Sequence, residues 1–308
     1  MSMAKMIFSG VMPPMITPFK DSGQVDYSAF AANIRGWNAT GLAGYLVNGS
    51  NSETAYLNER EKLRLVELAA GSVAADKRLM AGTGLEEPQA TIAFTNKCAE
   101  RGAGSALVLT PSYYDASMTS AALIDFFTRV AEGSRIPILI YNVPKFTHVN
   151  IKADAVAVLA RHENIIGMKD SAGDVPQLAA FQRAAEDQHF SLLVGTASAW
   201  YPALSLGIAA GIHAVANCAP RACVEVQRAF VAGDLARARG IYSALLPLNT
   251  AVTATYGIPG LKYACELAGY RGGPVRCPLQ PLAEASRPAL RQIVDAARQE
   301  LADYQCEL

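Results

Sequence analysis

Lys169 closes the apolar run Ile165-Ile166-Gly167-Met168 and opens the polar stretch Asp170-Ser171-Ala172-Gly173. A short apolar run giving way to polar residues and glycine predicts a buried strand that ends in a loop. A lysine at such a junction either snorkels its amine to water or is desolvated for chemistry. Burial disfavours the charged form of an amine, and a neutral amine can attack a carbonyl to form a Schiff base. The iminium then draws electrons from the neighbouring carbon, so a carbon–carbon bond can form or break without a metal. Proton transfers must accompany that step. Tyr141, at the end of the run "ILIYN", is a candidate proton carrier, although a tyrosine with an ordinary pKa of ~10 needs a nearby cation and a hydroxyl relay to act as a base. Ser50 and Tyr114 are hydroxyls that suit such a relay. Gly49, Ser50 and Asn51 follow "GYLVN" at a strand-to-helix turn, where free backbone N–H groups bind an anion and serine or asparagine also cap a helix. The bland alternatives are a strand-end Tyr141 packed on a helix turn, and Tyr113 and Tyr114 as ordinary loop or interface aromatics.

Other chemistries have less to start from. The four histidines (His148, His162, His189, His213) show no HxxxH or HxH spacing of the kind that binds zinc, and His213, expected within the eighth strand, reads as packing. No metal or cofactor is predicted. A Ser-His-Asp hydrolase lacks its GxSxG elbow. The six cysteines (Cys98, Cys218, Cys223, Cys265, Cys277, Cys306) contain no CxxC pair and read as structural thiols of a reducing compartment. "GTGLEE" lacks the third glycine of a dinucleotide fingerprint.

The elements that must position these residues recur regularly. Eight short β-rich stretches begin at Val11, Gly44, Leu79, Ala106, Ile138, Ile165, Leu192 and Ile212. Between them lie amphipathic segments such as "NEREKLRLVELAAGSV", "EEPQATIAFTNKCAERGA" and "SAALIDFFTRVAEGS", with apolar residues at three- and four-residue steps. Such alternation predicts parallel strands joined by right-handed crossovers. Eight units suit a (β/α)8 TIM barrel of about 250 residues better than an open doubly wound sheet. The expected division is a barrel over 1–225 and a C-terminal helical extension over 226–308 packed on it. Barrel active sites form at the C-terminal strand ends. That rule gathers Asn48–Glu53, Thr110–Tyr114, Tyr141–Pro144, Met168–Ser171 and Gly195–Ser198 on one rim.

Composition excludes several classes. Of 308 residues, 51% are hydrophobic and 18% charged, which permits a large core and argues against disorder. Lys+Arg and Asp+Glu both number 27, so no basic excess points to nucleic acid or anionic lipid, and little net repulsion opposes self-association. "MSMAKMIFSGVMPPM" has no sustained apolar stretch of a leader, and no apolar run reaches membrane-spanning length. The expectation is a cytoplasmic protein.

The motifs "GSNSE", "YNVP" and "GMKDS", in that order, make the chain resemble the dihydrodipicolinate synthase / N-acetylneuraminate lyase family of pyruvate-dependent, Schiff-base (class I) aldolases over nearly its full length. The resemblance implies that Lys169 forms the imine, that Tyr141 transfers the proton, that Ser50 belongs to the relay and that Tyr114 is donated across a subunit interface. It implies that Gly49, Asn51, Ser171 and Gly195 line the pocket of a small 2-keto acid, with no metal, and that the chain forms a homotetramer or homodimer. Within the family, "TPSYYDASMTSAALI", "NIIGMKDSAGDV" and "AVTATYGIPGLKYACELAGYRGGPVRCPLQ" look most like the 4-hydroxy-2-oxoglutarate aldolases, which release pyruvate and glyoxylate. Phe146 stands where dihydrodipicolinate synthases usually carry a carboxylate-binding arginine, with Lys145 as a neighbouring substitute, and Ser52 replaces the family glycine of the first motif. The alternatives are 4-hydroxy-tetrahydrodipicolinate synthase, a lyase of sialic acid or of a 2-keto-3-deoxy sugar acid, and a catalytically silent sensor or scaffold.

Overall fold

The computed structural model describes residues 8–186 and 188–308; residues 1–7 of the stretch read for a leader lie outside them. The strands are β1 (Gly10–Met12), β2 (Gly44–Val47), β3 (Arg78–Gly82), β4 (Ser105–Leu109), β5 (Ile138–Asn142), β6 (Ile165–Asp170), β7 (Ser191–Val194) and β8 (Ala210–Ile212). The helices are α1 (Tyr27–Asn38), α2 (Glu59–Ala70), α3 (Pro88–Ala99), α4 (Ser120–Gly133), α5 (Pro144–Thr147), α6 (Ala153–Leu159), α7 (Val175–Ala184), α8 (Trp200–Ser205), α9 (Pro220–Val231), α10 (Leu235–Thr250), α11 (Gly257–Leu267) and α12 (Arg287–Ala302). Local chemistry sets where the helices begin. Asn58 and Glu61 form a reciprocal capping box at α2, Thr119 caps α4 and Asp174 caps α7, each satisfying backbone N–H groups that the first turn leaves open.

The chain divides into two compact units, one of residues 79–211 with Phe8 and Ser9, the other of residues 10–78 and 212–308. In the first, β3 to β8 pair in parallel and in sequence, with Leu139 opposite Gly167, Met168 opposite Leu192 and Leu193 opposite Ala210. Every residue of β5 is buried, as a parallel strand covered on both faces requires. In the second, Arg78 N–H donates to the Ala43 carbonyl, Ala43 N–H to Val11, Met15 N–H to Leu46, and His213 N–H to Met12. These bonds join β3 to β2, β2 to β1 and β8 to β1, so the eight parallel strands are those of a (β/α)8 barrel followed by C-terminal helices.

The last strand is shorter and earlier than its sequence suggests. β8 ends at Ile212, His213 is the buried residue that follows it, and the apolar Ala214–Asn217 winds into a 3-10 turn. Asn217 imposes that turn: its amide donates to the Pro14 and Ala214 carbonyls and accepts from Ile16 N–H. The expected boundary at 225/226 falls inside α9, whose buried face of Ala222, Cys223, Val226 and Ala229 continues through it at helical spacing.

Candidate active site

In the first unit, Tyr141 and Lys169 stand directly opposite each other on β5 and β6, followed by Asn142 opposite Asp170. Lys169 is 4% exposed, and its Nζ lies 4.3 Å from the centre of the buried Tyr141 ring. Among the described residues no hydrogen bond or ion pair occupies that amine. The expected juxtaposition of lysine and tyrosine is therefore present, and register produces it.

At the ends of β6 and β4 two hydroxyls are buried with no hydrogen-bond partner among the described residues, Ser171 Oγ just past β6 and Thr110 Oγ1 just past β4. A buried hydroxyl without a partner carries a desolvation cost, so both are suited to bind a polar group of a ligand. Ser171 was expected at the pocket. Thr110 was not singled out, although it opens the "TPSYY" stretch at a strand end. Gly195 also has a packing reason: a Cβ there would collide with Ser171 Oγ and the Asp170 carbonyl, and its N–H donates to that carbonyl at 2.7 Å.

Tyr114 is not gathered into the buried pair. It is 71% exposed and packs edge-to-face on Tyr113, itself 79% exposed, at 5.0 Å. Glu86 holds this loop by accepting from Ser112 N–H, Ser112 Oγ and Tyr113 N–H. On the short α5, Phe146 is exposed, with Lys145 Nζ 5.8 Å from its ring.

In the second unit, the turn after β2 carries Gly49, buried, and Ser50 and Asn51, both half-buried, with Ser50–Ser52 forming a 3-10 turn. Asn48 and Glu53 flank it in the left-handed conformation, at φ 58° and 56°. Ser52 replaces the expected glycine by using its hydroxyl, which donates to the Met15 carbonyl at 2.6 Å, while Thr17 Oγ1 donates to the Ser52 carbonyl at 2.8 Å. Glu53 anchors the turn. Its Oε1 accepts from Lys262 Nζ at 2.6 Å and its Oε2 from Arg276 N–H at 2.8 Å. Lys262 Nζ also donates to the Pro274 carbonyl and lies 4.4 Å from the Phe19 ring. Burial pulls Lys262 below the usual lysine range, against the pull of Glu53. Arg276 forks onto Glu61 through two bonds and holds that carboxyl below its usual value. Sequence reading noted Glu53 only as an acid at a strand end. Its partner is 209 residues away, a distance no local pattern spans.

Among the described residues no group of three or more His, Cys, Asp and Glu side chains could hold a metal ion, and no helix is long and apolar enough to cross a membrane.

A barrel with a buried, unpaired lysine beside a tyrosine on adjacent strands has the parts of an enzyme that works through a lysine imine. The dihydrodipicolinate synthetase family matches residues 7–297, and the chain belongs to that family of pyruvate-dependent, class I aldolase and lyase-type enzymes. It is 36% identical to the 4-hydroxy-tetrahydrodipicolinate synthase of Methanothrix thermoacetophila over 94% of this chain and 96% of that protein. It is 36% identical to the same-named protein of Agrobacterium fabrum, over 94% and 97%. Among solved structures, an Escherichia coli K12 prophage protein of the dihydrodipicolinic acid synthase family in complex with pyruvate is 29% identical, with a TM-score of 0.89 over 94% of this chain and 99% of that one. A monomeric dihydrodipicolinate synthase variant is 26% identical, also with a TM-score of 0.89, over 94% and 97%.

Proposed function

We propose that this chain joins or splits pyruvate and an aldehyde through an imine at Lys169. The buried Lys169 amine, unpaired and set against the Tyr141 ring, is the observation that carries this reading. The amine adds to the 2-keto carbon and water leaves. In the joining direction, loss of a C3 proton gives an enamine whose carbon attacks the aldehyde. In the splitting direction, the 4-hydroxyl gives up its proton to Tyr141, the C3–C4 bond breaks, and the enamine is protonated and hydrolysed to pyruvate and free Lys169. Ser50 and Tyr114 serve the proton relay, and Ser171, Asn51 and Gly49 serve the keto acid's carboxylate. Tyr114, exposed on a loop that Glu86 holds, suits an interface residue in a dimer or tetramer.

The relatives favour aspartate semialdehyde as the acceptor, in the reaction of a 4-hydroxy-tetrahydrodipicolinate synthase. Phe146 stands where the synthases usually carry a carboxylate-binding arginine, which counts against that reaction and keeps a second reading, cleavage of 4-hydroxy-2-oxoglutarate to pyruvate and glyoxylate. The test is an acceptor screen of purified protein with pyruvate and, separately, aspartate semialdehyde, glyoxylate and a sugar aldehyde, read as pyruvate consumption. Fastest consumption with aspartate semialdehyde supports the first reading and with glyoxylate the second. No consumption with any aldehyde, together with no labelling by pyruvate and borohydride, refutes both.

A further inference from the structure

Successive side chains of a strand point to opposite faces, so the register that pairs Tyr141 with Lys169 puts the next pair, Asn142 and Asp170, on the other face. That second pair is bonded. Asn142 Nδ2 donates to Asp170 Oδ1 at 2.7 Å, and both residues are buried, at 0% and 1% exposure. Asn142 also donates to Asn150 Oδ1 and accepts from Ile151 N–H. Gln177 of α7 donates to Asp170 Oδ1 at 3.3 Å and exchanges bonds with Asn150. Both side-chain donors thus converge on one oxygen of Asp170, while Oδ2 is buried with no partner.

We propose that Asp170 is a positioning residue: its side-chain bond to Asn142 locks β5 and β6 in the register that sets Tyr141 against Lys169. The proposal rests on the imine reading of Lys169. The lock needs only an acceptor oxygen, Asp170 Oδ1, which takes both donors. Burial raises the affinity of Asp170 for its proton above the ordinary carboxylate range. The bonds from Asn142 and Gln177 and the Ala172 N–H pull against burial, and the Asp174 charge at the start of α7 acts with it; just past β7, the Gly195 N–H bonds the Asp170 backbone carbonyl.

The test is the rate of borohydride trapping with pyruvate, per folded molecule, across the neutral and alkaline pH range. Asp170→Asn keeps the acceptor oxygen and removes the ionisable proton, so its rate stays within about twofold of the parent and its pH profile coincides. Asp170→Leu keeps the volume and removes the acceptor, so its rate falls about ten- to a hundredfold through misplacement of the pair. Asn142→Ala, which removes the donor without overfilling the site, gives the same fall should Asp170→Leu fail to fold. A parental rate in a folded Asp170→Leu or Asn142→Ala protein overturns the proposal. So does a displaced pH profile or a loss beyond tenfold in Asp170→Asn, which would make the residue a working charge. Absence of trapping in the parent would instead refute the imine reading itself.

Discussion

Lys169 and Lys262 are both almost fully buried, at 4% and 1% exposure, yet their surroundings differ in kind. The Lys262 ammonium is spent: Glu53 and the Pro274 carbonyl each take a bond at 2.6 Å, and the Phe19 ring covers it. The Lys169 amine meets a ring face and no carboxylate or carbonyl bond among the described residues. Burial alone therefore does not mark a nucleophile. A buried lysine with a carboxylate is a fastener, and here it ties the turn bearing Ser50 and Asn51 to the segment before Arg276. A buried lysine without one leaves its nitrogen open to a ligand.

Four substitutions would break or sharpen that contrast. Lys169→Ala should abolish both turnover and borohydride labelling while leaving the unfolding midpoint near the parent's, because no bond to the amine is lost. Tyr141→Phe keeps the ring and removes the hydroxyl. It should lower turnover by roughly 10²–10⁴ with labelling by pyruvate still detectable by mass. Lys262→Met leaves the Glu53 carboxylate buried without its countercharge and should cost about 3–5 kcal/mol in urea unfolding, with the folded fraction still labelled. Glu61→Gln, which loses the Arg276 fork, should cost roughly 1–3 kcal/mol near neutral pH. Arg276 depresses Glu61 in the fold. Its contribution is thus complete above the unfolded carboxyl value of about 4.3 and vanishes as pH falls through the lower folded value. Parent and Glu61→Gln stability curves should therefore converge in acid.

The Lys169–Tyr141 pair was legible because each half leaves a local mark, an apolar strand ending in a lysine and another ending in a tyrosine, and the barrel rule brought them to one rim. Seven of eight strands fell where alternation and glycine placed them. The eighth shifted because Asn217, through three long-range or turn bonds, winds an apolar run that reads as a strand. The Glu53–Lys262–Arg276 anchor was invisible because Glu53 lies more than two hundred residues from both of its partners and none is unusual alone. The Asn142–Asp170 bond was hidden differently. Both residues lie beside singled-out ones, but their contact depends on register, which only the paired strands reveal. Tyr114, expected to be donated across a subunit interface, is 71% exposed on this chain.

The most direct measurement is peptide mass mapping after borohydride reduction of the protein with pyruvate. One adduct, on the peptide carrying Lys169, is the expected result. An adduct on Lys262 or another lysine, or none at all while pyruvate is still turned over, would contradict the assignment of the working amine.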